Sequence, residues 1–169
     1  IGIRDAVRAH PLAAAYLRDG EAEKVIRWVD GATGLACKGR LDWLSRSFSC
    51  VVDLKTSRTI DERRFGAAAY ALGYHSQLAM YARGCEVAGL LTAPARAVIL
   101  AVEHEPPHDV AVFHLPPDAI EQGRAELDEC LSALAACRES NRWPGRYTDE
   151  RPLQLPTWVF SEPELAFEV

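Results

Sequence analysis

The sequence has 169 residues, of which 49% are hydrophobic and 25% charged, and its formal net charge is −5. This composition is typical of one soluble globular domain with a substantial apolar core, and it excludes a disordered tail or a fibre. No apolar stretch approaches the ~20 residues that span a bilayer, and no signal segment opens the chain. We therefore expect a cytoplasmic protein without a membrane partner, and the acidic balance argues against a nucleic-acid partner.

The predicted elements follow the order α-β-β-β-α-β-β-α. Apolar residues at helical spacing indicate a first helix over 4–18, which Pro11 could interrupt. Strands are predicted over 25–29, 35–44 and 48–55, and the first two are joined by a turn at 30–34. The segment 61–83 is rich in Ala and Leu and contains no proline, so it predicts a helix with Gly84 as its C-terminal cap.

The second half of the chain predicts two strands, over 97–103 and 110–115, and an amphipathic helix over 117–140. From residue 141 the chain is irregular and punctuated by proline, and we expect Trp143, Trp158 and Phe160 to pack this tail on the body. No internal repeat or long linker divides the chain, so residues 1–169 are predicted to form one α/β (α+β) domain. The chain has no initiator methionine, and we expect it to lack the N-terminal part of this domain.

Two aspartates are predicted to face each other across the second and third strands. A hairpin centred between residues 47 and 48 places Asp42 opposite Asp53, with Cβ atoms roughly 5 Å apart. Two like charges at this distance destabilise the sheet and raise one pKa, unless a cation lies between them. Carboxylate oxygens with room for water suit Mg²⁺ or Mn²⁺, so the pair predicts a metal site.

A lysine is predicted to join the two aspartates. Side chains alternate along a strand, so Lys55 points to the same face as Asp53. Two carboxylates and an ammonium are typical of metal-assisted hydrolysis, in which the metal acidifies a water and the lysine steadies this water or the developing charge. Phosphodiesters are the natural substrate of such a site. A surface strand with a neutralised salt bridge is the alternative interpretation.

A stripe of polar and aromatic residues is predicted on the next helix. Its members recur at i, i+4, i+7 and i+11, and they are Tyr70, Tyr74, Gln77 and Tyr81. A purely structural stripe would use Leu or Ala, whereas the amide of Gln77 favours a face that contacts phosphates or bases. Tyrosines of an amphipathic core are the alternative.

Three segments together resemble the PD-(D/E)XK nuclease superfamily, and within it the RecE-type (exonuclease VIII-like) phage recombination exonucleases. They carry an Asp, an Asp-x-Lys and a Gln-x-x-x-Tyr in the order and on the elements that this superfamily uses. The segments are Gly39-Arg40-Leu41-Asp42, Val51-Val52-Asp53-Leu54-Lys55-Thr56 and Tyr74-His75-Ser76-Gln77-Leu78-Ala79-Met80-Tyr81. The tail, Arg142-Trp143-Pro144 and then Leu155-Pro156-x-Trp158, also resembles the end of that family's domain, so the resemblance covers nearly the whole chain.

The resemblance implies a restriction-endonuclease-like fold, with a mixed central sheet flanked by helices and a metal site at one sheet edge. It implies that the metal is bound by two carboxylates and a backbone carbonyl, those of Asp42, Asp53 and Leu54. Lys55 would be the catalytic lysine, and Gln77 and Tyr81 would form a supporting motif that positions the lysine or the DNA.

Two further residues, Glu23 and His10, are compared with acidic or metal-binding positions of the family. Glu23 matches an acidic position of the family, and a structural ion pair is the alternative for it. Relatives carry a further His or Glu ligand on an N-terminal helix, for which His10 is a poor match because Pro11 follows it and the first strand is close. We expect this ligand to lie upstream of Ile1.

The activity implied by the resemblance is that of a Mg²⁺-dependent (or Mn²⁺-dependent) DNA exonuclease. It would digest linear duplex DNA from its ends, 5′-to-3′, as a ring-shaped homo-oligomer that works with a single-strand annealing protein. A catalytically weakened DNA-binding or assembly module of the same fold is one alternative. An endonuclease of the same superfamily is another.

The proposed site lies in the basic part of an acidic chain. Residues 38–64 carry seven basic and four acidic side chains, a local charge of +3, so the other positions sum to −8. Because this segment is basic, the negative net charge of the whole chain does not exclude a nucleic-acid partner. The candidates for DNA contacts are Arg40, Arg58, Arg63, Arg64 and Tyr74, and solvated turn residues are the alternative for the arginines.

Overall fold

The computed structural model of the protein describes residues 2–160, and its helices and strands follow the predicted order. The elements are α1 (Ile3–Ala9), α2 (Pro11–Tyr16), β1 (Gly20–Val29), β2 (Ala36–Ser45), β3 (Cys50–Ser57), α3 (Glu62–Ala71), α4 (Tyr74–Val87), β4 (Arg96–Glu103), β5 (Val110–His114), α5 (Pro117–Ser140) and a 3₁₀ turn (Thr157–Phe160). Within this part of the chain, none of the helices has the length and hydropathy needed to cross a membrane.

The five strands form one mixed sheet in the order β1-β2-β3-β4-β5. Strands β3 and β4 run parallel, and the other neighbours are antiparallel. Both faces of the central strands are buried, because Val51 and Ile99 belong to one apolar cluster and Val52 and Val98 to another. The first cluster includes residues of α3, α4 and α5, and the second includes residues of α1 and α2. The predicted α+β fold, with helices on both faces of a mixed sheet, is confirmed.

The first predicted helix is divided at His10. This residue has an extended backbone (φ −75°, ψ 117°), because the ring of Pro11 disfavours helical geometry in the residue before it. His10 then caps the second helix, since its Nδ1 accepts a hydrogen bond from the backbone N–H of Ala13 at 3.2 Å. The predicted interruption at Pro11 is therefore confirmed.

The helix predicted over 61–83 is also divided, into α3 and α4. The break lies at Gly73, which has a left-handed backbone conformation (φ 68°). This conformation is incompatible with the interior of a right-handed helix. Gly84 does not cap the helix as predicted, because α4 continues past it to Val87. Instead Gly84 is buried against β1, where an added Cβ would lie 2.6 Å from Ile26 and 2.7 Å from the ring of Trp28.

The tail does not pack on the body through the aromatic residues that were predicted to hold it. Trp143 is 61% exposed and Phe160 is 73% exposed, so the prediction is wrong for these two residues. Helix α5 ends at Asn141, whose backbone is left-handed (φ 51°), and every side chain that the structure describes between residues 141 and 160 is exposed. The side chain of Trp158 and residues 161–169, which the prediction also included, lie outside the described part of the chain.

Candidate active site

Strands β2 and β3 separate at the two predicted site aspartates. The predicted register is confirmed, because Trp43 lies opposite Val52 and the pairs nearer the turn follow the same register. The ladder ends there, one position short of Asp42 and Asp53, so these residues do not form the directly opposed pair that was predicted. From this point β2 continues to pair with β1, and β3 continues to pair with β4. The separation opens the sheet where the two aspartates lie.

Asp42 reaches across the separation with its side chain. Its Oδ2 accepts a hydrogen bond from the backbone N–H of Leu54 at 2.9 Å. Glu23 lines the same cleft of about 310 Å³ as Asp42 and Leu54, and its carboxylate forms an ion pair with Arg40 at 3.0 Å. Glu23 therefore forms an ion pair, as the structural alternative for this residue predicts. It also lines the cleft that contains Asp42.

Asp53 and Lys55 form a charge pair on the face of β3 that α4 covers. Asp53 is 1% exposed, and its Oδ2 lies 2.8 Å from the Nζ of Lys55. Burial raises the pKa of the Asp53 carboxyl above its ordinary value because the charged form loses its hydration. The ammonium of Lys55 opposes this pKa shift, and the charge of Asp42 adds to it.

Helix α4 holds the ammonium of Lys55 from a second direction. The Oε1 of Gln77 accepts a hydrogen bond from Lys55 at 3.1 Å, and the Nε2 of Gln77 donates to the hydroxyl of Tyr81 at 3.2 Å. The aromatic ring of Tyr74 lies under the ammonium, with its centroid 4.6 Å from Nζ. The structure thus brings together Lys55, Gln77 and Tyr81 as the sequence predicted, and it adds Tyr74 to them. Tyr74 is half-buried beside the lysine, and its predicted role as a DNA contact stays a prediction.

Tyr70 is not part of this arrangement. It lies on α3, and the break at Gly73 removes it from the line of the α4 residues. Its ring stacks on His75 with centroids 5.3 Å apart, and the residue is 68% exposed. The predicted stripe of four residues on one helix is therefore wrong at its first member.

A glycine on β2 makes room for the tyrosine of the motif. The ring of Tyr81 lies so close to Gly39 that an added Cβ would come within 2.9 Å of two ring carbons. Contacts of this length are far shorter than normal packing, so a larger residue at position 39 would displace the ring. The glycine thus allows α4 to place Gln77 beside Lys55.

The donor atoms at the site fit a divalent metal with oxygen ligands. The Oδ2 of Asp53 is buried and, in the part of the chain described, accepts no hydrogen bond of normal geometry, although Lys55 lies near it. The described residues contain no group of three or more His, Cys, Asp or Glu side chains that converge on a metal position. Mg²⁺ is commonly held by one or two carboxylates, with water and substrate phosphate completing its shell. Asp42, Asp53 and the carbonyl of Leu54 would be sufficient ligands of this kind.

His10 is engaged at a helix end, because its Nδ1 accepts the hydrogen bond that caps α2. Its role as a further metal ligand stays a prediction. The predicted DNA contacts Arg58, Arg63 and Arg64 are exposed, and residues 2–160 offer their guanidinium groups no ion pair or hydrogen bond that the structure records. Their role in DNA binding stays a prediction.

Sequence reasoning missed one cation near this site, Arg27, and it counted Lys38 in the basic segment 38–64 without naming it as a contact. Both are exposed, and they face each other across the hairpin of β1 and β2. The alternation of buried Ile26 and Trp28 with exposed residues in β1 was a signal that could have identified Arg27. Their position beside α4 could not be read from the sequence.

Comparisons with known proteins identify the family of the chain and a shared fold. The sequence profile described as "PDDEXK-like domain of unknown function (DUF3799)" matches residues 2–150. A crystal structure described as a "putative exonuclease" from Eubacterium rectale has a TM-score of 0.66 at 12% identity, covering 95% of this chain and 64% of that chain. A structure of SSO0001 has a TM-score of 0.45 at 18% identity, covering 80% of this chain and 58% of that chain. No curated protein matches the sequence significantly.

The similarity in structure at 12% identity shows a shared fold, and the present chain spans less than two thirds of the E. rectale protein. The profile match covers most of the sequence and includes every residue of the site described above. The RecE-type assignment within the superfamily stays a prediction. The chain belongs to the family of PDDEXK-like domains of unknown function, DUF3799.

Proposed function

We propose that this domain is a divalent-metal-dependent deoxyribonuclease that hydrolyses phosphodiester bonds. The observation that carries the proposal is the pair of Asp53 and Lys55, a buried carboxylate and an oriented ammonium 2.8 Å apart. The pair lies where β2 and β3 separate, so substrate could approach it without breaking the sheet. Membership of the PDDEXK-like family supports the same reaction class.

The chain's own groups have separate parts in this reaction. The ammonium of Lys55, fixed by Gln77, can stabilise the negative charge that develops on a phosphate oxygen, or orient the attacking water. A divalent cation held by Asp42, Asp53 and the Leu54 carbonyl would supply the Lewis acidity that makes water a nucleophile near neutral pH. Burial of Asp53 keeps bulk water from weakening these electrostatic interactions.

The proposal includes digestion from the ends of linear duplex DNA, in the 5′-to-3′ direction and leaving 5′-phosphates. The resemblance to RecE-type enzymes supports this polarity, and the description of the E. rectale protein as a "putative exonuclease" supports action from ends. A ring-shaped homo-oligomer, a single-strand annealing partner and a role in phage recombination belong to the same proposal and rest on the resemblance alone.

Digestion of matched DNA substrates tests this proposal. Linear duplex and closed circular duplex are incubated with Mg²⁺ or Mn²⁺ and either the native chain, Lys55→Ala or Lys24→Ala. Lys24 is a matched control because it lies on β1 in a half-buried ion pair with Glu21. We expect 5′-mononucleotides from linear DNA only, with loss of product for Lys55→Ala and not for Lys24→Ala.

Each other outcome contradicts a named part of the proposal. Nicking or linearisation of the circle would identify an endonuclease of the same superfamily. If the native chain and Lys55→Ala were equally inert while both bound DNA, the domain would be a binding or assembly module.

A further inference from the structure

A groove lined by cations opens beside the proposed active site. It has a volume of about 630 Å³ and lies between the β1–β2 hairpin and α4. The hairpin contributes Arg27, Lys38 and Arg40 to its lining, and α4 contributes Gln77 and Tyr81. Because Gln77 accepts a hydrogen bond from Lys55, the groove leads directly to the side chains that hold the catalytic lysine.

Two of these cations oppose each other without a counter-charge. Arg27 of β1 is paired in register with Lys38 of β2, and both side chains are exposed. Like charges directly opposite in an antiparallel pair destabilise the sheet. Within residues 2–160 the structure records no ion pair or hydrogen bond of either side chain. An anion bound between them would convert this repulsion into attraction.

The third cation continues the same line. Arg40 follows Lys38 by two residues on β2, so both side chains project from the same face of the strand, roughly 7 Å apart. Arg40 forms an ion pair with Glu23, but the two side chains are 71% and 59% exposed. Exposed ion pairs contribute little free energy, so an arriving phosphate could compete for Arg40.

The residue between these two cations is Gly39, which the ring of Tyr81 covers. Strand alternation turns Gly39 towards α4 and the two cations to the other face of the hairpin. The groove joins these cations to the side chains of Gln77 and Tyr81, which hold Lys55.

We propose that this groove binds the sugar–phosphate backbone of the DNA strand that enters the active site, with Arg27 and Lys38 as direct phosphate contacts. The inference rests on the proposed nuclease function, because it names the path by which that substrate reaches Lys55. Contacts of this type position the strand and carry no information on its sequence. Binding through the groove is therefore expected to depend on salt and to be independent of base sequence.

The test measures the salt dependence of DNA affinity. The double variant Arg27→Ala/Lys38→Ala is compared with Arg138→Ala/Arg142→Ala, which removes the same charge from exposed positions outside the groove. Both are made in the Lys55→Ala background, in which the strand is not cut, and the dissociation constant for a labelled linear duplex is measured over a range of salt concentrations. Arg27→Gln/Lys38→Gln serves as a second variant that keeps most of the side-chain length, and thermal unfolding checks that each variant is folded.

We expect the groove variants to bind roughly tenfold or more weakly, and the slope of log K against log salt to be smaller by about 1.8, for two lost phosphate contacts. The control pair should retain the parent slope. Equal slopes for the groove variants and the control pair would overturn the inference.

A small substrate separates this inference from the proposed function. Bis(4-nitrophenyl) phosphate has one phosphodiester and no flanking nucleotide phosphates for the hairpin cations to bind, so we expect the groove variants with native Lys55 to hydrolyse it at the native rate. Loss of this activity together with DNA cleavage would overturn the inference, because the variants would then disturb the active site itself. The native chain could hydrolyse neither substrate while the groove variants bind DNA more weakly than it does. In that case the proposed nuclease function fails, and the inference that the groove binds DNA is supported.

Discussion

The Nζ of Lys55 lies 2.8 Å from the Oδ2 of Asp53, on the face of β3 that is covered by α4. The intervening Leu54 points to the opposite face, towards the cleft that Asp42 lines. The two charged groups depend on each other, because burial raises the pKa of Asp53 and the neighbouring ammonium opposes that shift. A carboxylate and a lysine held in this way are the centre of the proposed reaction.

Replacement of Gln77 should slow the reaction without weakening DNA binding. Gln77 touches Lys55 and Tyr81, so Gln77→Leu removes a positioning hydrogen bond from the lysine. We expect kcat on linear duplex to fall by roughly 10–100-fold, the usual effect of removing a supporting partner, with KM nearly unchanged. Gln122→Leu, on α5, is the matched control. An increase in KM at unchanged kcat would show instead that Gln77 contacts DNA.

Two glycine-to-alanine substitutions should have opposite effects on stability. Gly84→Ala places a Cβ 2.6 Å from Ile26 and 2.7 Å from Trp28, so overpacking should lower the free energy of unfolding by about 1–3 kcal/mol. Gly66→Ala lies in α3 with no atom within 4 Å of the added Cβ, and higher helix propensity should raise that free energy by up to about 1 kcal/mol. Urea denaturation of both variants checks this, and equal effects would contradict the packing at Gly84.

The contact between α4 and α5 should make stability depend on pH at acid values. Glu126 accepts hydrogen bonds from Ser76 and Gln122 and lies 2.9 Å from the Nε2 of His75. These contacts lower the pKa of Glu126 from 4.5 to about 2, and the hydrogen bond from Ser76 has the largest effect. Between these two pH values the unfolded chain binds the proton more readily than the folded chain. The stabilisation is therefore fully present above pH 4.5 and is lost as the pH falls towards 2.

The variant Glu126→Gln removes this ionisation. We expect it to unfold at a lower temperature than the native chain at neutral pH, and to show a smaller loss of Tm between pH 4.5 and pH 2. Thermal unfolding by circular dichroism across that pH range makes the comparison. Parallel Tm curves for the two proteins would show that Glu126 keeps its ordinary pKa in the folded state.

Divalent metal should stabilise the folded chain through Asp53. A ligand that binds only the folded state adds about 2.7 kcal/mol of stability at a hundred times its Kd, so Mg²⁺ or Mn²⁺ should raise Tm by several degrees. Asp53→Asn should remove most of this increase, whereas Asp149→Asn, in the exposed tail, should retain it. The same increase in Tm for native chain and Asp53→Asn would place the metal elsewhere.

Local patterns in the sequence were sufficient for much of the fold. The helix 117–140 was predicted with its observed bounds, because proline and acidic residues mark its start and apolar spacing continues to its end. The register of β2 and β3 followed from the position of their tight turn. The alternation of a strand also placed Asp53 and Lys55 on one face, and helical spacing placed Gln77 next to Tyr81.

The features that were missed depend on contacts between distant segments. Beyond Trp43 and Val52, β2 continues beside β1 and β3 continues beside β4, and no hairpin pattern in the sequence reports where the two strands part. The interaction of Tyr74 with Lys55 requires the position of α4 over the sheet. The break at Gly73 was hidden because a single glycine is compatible with both a helix interior and a helix end.

The single-turnover cleavage rate of an end-labelled linear duplex, measured with Mg²⁺ for the native chain, Asp53→Asn and Asp149→Asn, tests the proposed site most directly. If Asp53 and Lys55 form a metal-dependent nuclease site, the native chain and Asp149→Asn cut the DNA at similar rates, and chelation of the metal stops both. Asp53→Asn should be slower by roughly a hundredfold or more. Cleavage by Asp53→Asn at the native rate, or cleavage that persists without divalent metal, would contradict the assignment of this site.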